Sequence, residues 1–415
     1  MWRAGPRAGA PYRPRMGVTR PGRDLAIDAT RGLAIWSMVS LHFADGRRIA
    51  APTHAYPFVD GLSAFVLLSG LVLGIVYRRW TDRHGLGFAY RRLGRRLVTL
   101  YAAQLFLSLV AVAVSTRLTA RQFSMITVLP PDVSPGRQLW WALTLRWLPS
   151  GASILVVYLV LMASVIVLLP LLRRRGGAAA VLAGSVGLYA AVQLCGWQAT
   201  VLHSYPGGGP IADWAAWQVL FVPALVIGWK WVDWRVPERV DAALPALLLL
   251  TALLWLALRP GRPLAQWLAD DPSLTAKVTL GPARALAAWL VVTCVYAVFR
   301  RLLQWMRREW LRPLETVGAR SLDAYVIQGV ALMAVPTWIV FRPWGAVLST
   351  VIALAVFGCC WAWAQARSRW GIDKLHRAPV LAAARIGSAR RERKGETWRS
   401  SDRIGQRQKA SASAP

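Results

Sequence analysis

Ionisable residues recur along one face of the first apolar segment of the chain. Arg31 and His42 are eleven residues apart, and because a helix turns about 100° per residue, their side chains lie on nearly one line, roughly 16 Å apart along the axis. Asp24, Asp28 and Asp45 continue the same spacing of three and four residues. Charged groups inside a membrane are costly unless they are paired or face water. The stripe therefore predicts a functional site on a membrane-spanning helix.

Two simpler interpretations of this stripe remain open. Asp28 and Arg31 could form an ion pair, three residues apart, that only holds helices together. His42 lies near the predicted end of the helix and could be an interfacial histidine. Both interpretations give these residues a structural role and no chemistry.

The short connection to the second apolar segment carries further candidates. His54 lies within it, and Asp60 stands where the next helix begins, so both are expected on the same side of the membrane as His42 and Asp45. A histidine with a carboxylate partner is the minimal general-base unit, because the carboxylate fixes the tautomer and stabilises the imidazolium. The set predicts base catalysis, although Asp60 could equally be only a helix N-cap.

Arginines are concentrated just before the third apolar segment. Arg92 and Arg95 are three residues apart, so they face one way on a helix and could bind a phosphate together; Arg91 stands beside them. The alternative is ordinary anchoring, because membrane proteins carry their arginines and lysines mainly on the cytoplasmic side.

A single charge inside a later apolar segment also needs a partner. Arg284 is that charge, and it lies close to the predicted outer end of its segment. Asp323 and Gln328, in the next apolar segment, are candidates to complete an interior polar network with it.

The composition indicates a membrane protein. Hydrophobic residues make up 56% of the 415, yet the net charge is +31, which fits apolar segments separated by basic loops. A basic surface alone could indicate nucleic acid, but the arginines lie beside the apolar segments and no DNA-binding or base-stacking motif accompanies them. We expect no nucleic-acid partner. The four cysteines fall inside apolar segments without metal-ligand spacing, so we expect neither structural disulfides nor a metal.

Ten apolar segments are each near the roughly 20 residues that cross a bilayer core. Lysine and arginine are denser in alternate loops, which predicts that both termini are cytoplasmic. The predicted fold is an all-α, polytopic integral membrane helical bundle of about ten spans. The segments lie at about 25–45, 58–77, 94–116, 150–171, 178–198, 213–232, 242–258, 282–304, 320–341 and 345–365.

The predicted organisation is one transmembrane domain between two basic tails. Residues 1–22 are rich in Arg, Pro and Gly and predict a disordered cytoplasmic tail. Residues 23–365 form the membrane domain. Residues 366–415 predict a second, mostly disordered tail that lies against anionic lipid.

Several blocks of the sequence, taken together, carry a resemblance to a known family. One joins Arg23-Asp-x-x-x-Asp28-x-x-Arg31-Gly-Leu-Ala to His42, and another is Asp60 followed by Ala-Phe-Val-Leu-Leu-Ser-Gly. With the arginine-rich segment, Trp217-Gln-Val-Leu-Phe-Val and Gly318-Ala-Arg-Ser-Leu-Asp-Ala-Tyr, they cover roughly residues 23–345. The chain resembles the OpgC family, within the acyltransferase-3-like group of transmembrane acyltransferases.

The resemblance implies a multi-pass plasma (inner) membrane O-acyltransferase. It implies transfer of an acetyl or succinyl group from cytoplasmic acyl-CoA, the donor substrate, to a hydroxyl of an extracytoplasmic glycan or envelope polysaccharide. His42 would be the base, Arg31 would be essential, and Arg92 and Arg95 would contact the phosphates of the donor. His54 loosely matches the working histidine of heparan-glucosaminide acetyltransferase relatives.

Two other classes of protein remain open. The stripe could line the translocation path of a transporter or flippase for a lipid-linked or polysaccharide substrate. A non-enzymatic membrane scaffold would tolerate replacement of Arg31 and His42. The sequence does not set the acyl group, the acceptor or the oligomeric state.

Overall fold

The computed structural model describes residues 24–115, 133–149, 153–197, 199–204, 209–338 and 345–370. The helices within those ranges are Leu25–Ala44 (α1), Gly61–Ser115 (α2), Pro135–Leu143 (α3), Ile154–Leu172 (α4), Gly177–Cys195 (α5), Trp214–Trp229 (α6), Val236–Ala257 (α7), Pro263–Asp270 (α8), Pro282–Trp305 (α9), Arg308–Ala319 (α10), Ser321–Trp338 (α11) and Ala346–Trp370 (α12). Short 3-10 turns lie at Ala51–Thr53 and Pro272–Thr275. Val201–His203 (β1) pairs antiparallel with Pro210–Asp213 (β2).

Each of the ten predicted apolar segments coincides with a helix, and two of them fall in the two halves of α2. Within the described ranges, six helices are long and apolar enough to cross a membrane, namely α2, α4, α5, α7, α9 and α12. An all-α membrane fold is therefore confirmed, with the small β1–β2 sheet added to it. The number of crossings and the cytoplasmic position of the termini stay predictions.

The chain divides into two compact units, Met1–Trp361 and Ala362–Pro415. The described part of the second unit is the end of α12. Both predicted tails fall almost wholly outside the described residues, although α12 continues as a helix to Trp370, past the predicted domain boundary at 365.

Helix α2 bends at Gly85, which joins two predicted spans without the expected loop. The backbone angles of Gly85, φ 78° and ψ 172°, lie in a region that only glycine adopts readily. The residues before and after this bend contribute to one cavity, described below. The bend thus places the arginines of the second half of α2 near the side chains of its first half.

The backbones of α1 and α10 are in close contact. A side chain on Gly32 of α1 would collide with the carbonyl of Leu314, and one on Gly318 of α10 would collide with the carbonyl of Asp28. The sequence predicts a basic loop between the segments 282–304 and 320–341, but α10 forms there and buries Leu311, Glu315, Val317 and Gly318. This contact fixes the charged half of α1.

We expect Gly318→Ala to destabilise the protein, because the added methyl forces α1 away from α10. Overpacking of this kind costs about 1–3 kcal/mol, so the melting temperature of the purified protein should fall. Gly184→Ala is the matched control: its added methyl meets nothing within 4 Å, and alanine is the better helix former by about 1 kcal/mol. Equal melting temperatures for the two variants would contradict the close contact.

Candidate active site

A cavity of about 320 Å³ brings four arginines together. Arg31 of α1 and Arg92, Arg95 and Arg96 of α2 all line it, at the end of the bundle predicted to face the cytoplasm. The spacing of Arg92 and Arg95 turns both side chains the same way, as the sequence predicted. Guanidinium groups bind phosphates through charge-assisted hydrogen bonds, often two at a time. The cavity therefore has the chemistry of a site for a phosphate-bearing ligand.

Hydroxyl groups line the same cavity. Ser69 of α2 is 2% exposed, and its Oγ is buried without a hydrogen-bond partner among the described residues. Tyr158 of α4 and Tyr77 of α2 also line the cavity. A buried hydroxyl without a partner costs about 1–3 kcal/mol, so Ser69 is placed to bond a molecule in the cavity.

The guanidinium of Arg31 is held by two neighbours on other helices. Its Nη2 donates a hydrogen bond of 2.5 Å to the hydroxyl of Ser321, where α11 begins. Its Cζ also lies 6.0 Å from the centre of the Phe65 ring. These contacts fix the arginine in the bundle while the cavity gives it access to a ligand.

His54, in the connection between α1 and α2, has the tautomer of a general base. Its Nδ1 lies 2.9 Å from the carbonyl of Ala50. A carbonyl can only accept, so Nδ1 carries the proton and Nε2 carries the lone pair. Nδ1 also lies 3.2 Å from the hydroxyl of Thr53. Nε2 is buried and has no partner among the described residues.

Asp60 is both a helix cap and the partner of a buried arginine. Its Oδ1 accepts hydrogen bonds of 2.9 Å from the amide and the hydroxyl of Ser63. Its Oδ2 lies 3.6 Å from Nη1 of Arg284 and 3.7 Å from Nζ of Lys277. The Nε of Arg284 donates to the carbonyl of Thr275. The partner of Arg284 is thus Asp60, at the same end of the bundle, rather than a residue of α11.

The other predicted residues of α1 are distributed along its length. Asp24 caps the helix through the amides of the first turn and accepts a bond of 2.8 Å from the Tyr296 hydroxyl. Asp28 is buried and His42 is half-buried. Asp45 is exposed, and its carboxylate accepts from the amide of Gly46.

Several predicted residues lie outside the arginine cavity. Arg91 is exposed and does not line it. His42 does not line it either. Asp323 is half-buried on α11. Gln328 is 1% exposed, and neither its oxygen nor its nitrogen has a partner among the described residues.

Sequence reasoning did not assign several residues of the arginine cavity to a site, among them Arg96, Ser69, Tyr77 and Tyr158. Arg96 directly follows the predicted Arg95, and that adjacency was the one available signal. Ser69 and Tyr158 are isolated hydroxyls in apolar segments, and no spacing distinguishes them from packing residues. No cluster of three or more potential metal ligands occurs in the part of the chain that the structure describes.

Comparison with known protein families gives one match. The family described as OpgC protein matches residues 23–371, which is most of the chain. Neither a curated protein nor a solved structure matches the chain.

We expect Asp60→Asn to lower the melting temperature although asparagine is an equally good helix cap. The reason is electrostatic: Arg284 would keep its charge in a buried position without its carboxylate, and breaking such a pair costs up to about 3–5 kcal/mol. Asp60→Asn combined with Arg284→Gln should recover part of the loss. If Asp60→Asn melts at the wild-type temperature while Asp60→Ala does not, Asp60 acts only as a cap.

Proposed function

We propose that this chain, a member of the OpgC family, is a membrane acyltransferase that transfers an acetyl or succinyl group from cytoplasmic acyl-CoA. The acceptor is a hydroxyl of an extracytoplasmic envelope glycan, and the protein lies in the inner membrane. The arginine cavity is the observation that carries this proposal, because acyl-CoA is a donor with several phosphates on a slender arm.

In the proposed binding mode, the phosphates of the donor lie against Arg92, Arg95 and Arg96. The pantetheine arm passes Arg31 and follows α1 toward the outer end of the bundle. Arg31 and Ser69 line the cavity along this path and supply hydrogen-bond donors to the polar groups of the arm. A cavity of about 320 Å³ is at the small end of ligand pockets, so it would hold only part of the donor, with the remainder outside it.

In the proposed reaction, a hydroxyl oxygen of the glycan attacks the thioester carbonyl. A histidine takes the hydroxyl proton, the carbon–sulfur bond breaks, and the thiolate leaves and is protonated to the free thiol. His42 is the base implied by the family resemblance, with Asp45 or Asp60 as its orienting carboxylate. His54 is a second candidate, because its Nδ1 is fixed by the carbonyl of Ala50 and its Nε2 has no partner among the described residues. Since Nε2 is buried, an acceptor would have to displace its neighbours to reach it.

We expect replacement of the working base to reduce acyl transfer by about 10²–10⁴-fold, the usual contribution of general-base catalysis. The measurement compares His42→Ala and His54→Ala in membranes of equal protein content, with labelled acyl-CoA and mass analysis of the glycan. His203→Ala is the control, because the ring of His203 bonds the carbonyl of Val201 in its own strand. Wild-type transfer by both variants would refute a histidine base. Movement of glycan across the membrane without any change in its mass would instead indicate a transporter.

We expect Arg92→Ala and Arg95→Ala to raise the KM for acyl-CoA roughly tenfold or more each, because a hydrogen bond to a charged group contributes about 1.5–3 kcal/mol. The KM for the glycan should change little. Arg175→Ala removes an exposed arginine from another loop and serves as the control. A donor KM that shifts equally in all three variants would indicate a general effect of positive charge rather than a phosphate site.

A further inference from the structure

A second cavity, of about 130 Å³, lies against a different face of α1. Thr30, Leu33, Ala34 and Ser37 line it, and their spacing places them on one side of the helix. Arg31, which lines the arginine cavity, is the immediate neighbour of Thr30 in the chain but points about 100° away from it. The two cavities therefore share α1 as a common wall.

A buried hydroxyl in this second cavity has no partner. Ser37 is 6% exposed, and its Oγ has no hydrogen-bond partner among the described residues. Such a group is stable only if a molecule in the cavity bonds it or if its desolvation is offset elsewhere. The hydroxyl of Ser37 is thus available to bond a ligand in the cavity.

Two further polar groups lie at the outer end of the cavity. Thr53, from the connection between α1 and α2, and Asp60, which caps α2, both line it. The hydroxyl of Thr53 also contacts Nδ1 of His54, one of the two candidate bases. A ligand that reaches Thr53 is therefore close to the ring of His54.

The remaining wall is apolar. Val291, Val292 and Val295 of α9 form one side of the cavity. Tyr56 also lines it, and its hydroxyl donates a bond of 2.8 Å to the carbonyl of Thr251. Burial raises the pKa of Tyr56 above its usual value, so the phenol stays neutral. The cavity as a whole thus combines apolar side chains with the carboxylate of Asp60 and the hydroxyls of Ser37 and Thr53.

Size and lining together select the class of ligand. An engineered cavity of about 150 Å³ in another protein holds benzene, a ring without substituents, so the 130 Å³ cavity admits one edge of a sugar ring and not an oligosaccharide. A monosaccharide has hydroxyls at its edge, which suit Ser37, Thr53 and Asp60, and carbon–hydrogen faces, which suit the valines.

We propose that this cavity binds one neutral sugar ring of the acceptor glycan, with Ser37 and Asp60 hydrogen-bonded to its hydroxyls. The inference rests on the proposed function, and it assigns donor and acceptor to separate cavities on two faces of α1. The rest of the glycan would extend from Thr53 into the solvent at the outer end.

The test measures sugar binding alone, without an acyl donor. Purified protein in lipid nanodiscs is titrated by calorimetry with neutral oligosaccharides of glucose, of galactose and of mannose, each in turn. At least one should bind, Ser37→Ala should weaken it roughly two- to tenfold, and Ala64→Leu, which fills the cavity, should abolish it. Ser164→Ala should bind normally, because that hydroxyl bonds its own helix on α4.

Each other outcome overturns a distinct part of the account. Binding of none of the oligosaccharides, or binding unchanged in Ser37→Ala and Ala64→Leu, overturns the acceptor site. Loss of co-purified phospholipid from Ala64→Leu, with sugar binding intact, shows that a lipid chain occupies the cavity. Sugar binding that depends on Ser37 in a protein that transfers no acyl group contradicts the proposed function and leaves the sugar site standing.

Discussion

A guanidinium within a bundle of membrane helices needs polar neighbours, and the packing around α1 meets that need for Arg31. Its side chain bonds the first residue of α11 and lies against Phe65 of α2. Both contacts depend on the position of α1, which Gly32 and Gly318 set by allowing α1 and α10 to touch backbone to backbone. The cost of a charge at this depth is offset by these partners and by the cavity in front of it.

The same helix separates two cavities of different chemistry. The larger is lined by arginines and suits an anionic ligand, whereas the smaller carries a carboxylate and hydroxyls beside valines. Neighbouring residues of α1, Thr30 and Arg31, belong to different cavities because a helix turns between them. A transfer reaction across a membrane needs such an arrangement, in which a donor from one side and an acceptor from the other approach a common element.

The sequence predicted the features that follow from periodicity. The stripe of α1, the helical segments and the shared orientation of Arg92 and Arg95 all depend on residues three or four positions apart. The sequence did not predict the partner of Arg284, because Asp60 is on a distant helix and only the packing brings the two together. Helix α10 is not predicted from the sequence, because charged residues stand among the few apolar residues that it buries and no apolar segment results. Ser37 and Ser69 could not be identified as ligand-binding residues from the sequence, because a lone serine in an apolar segment cannot be distinguished from one that only packs between helices.

His42 and His54 are alternative candidates for the catalytic base. His42 follows from the family resemblance, and the structure places it half-buried near the end of α1. His54 is a candidate because its ring is hydrogen-bonded to a backbone carbonyl and because its neighbour Thr53 borders the smaller cavity. The choice between them decides where along α1 the thioester must lie when it reacts.

The central claim is that the arginine cavity beside α1 holds the acyl donor. Electron cryomicroscopy of the protein with a non-hydrolysable acyl-CoA analogue tests it most directly. The account predicts density for the phosphates against Arg92, Arg95 and Arg96, with the arm passing Arg31 along α1. Density for the analogue at another surface of the bundle, with this cavity empty, would contradict it.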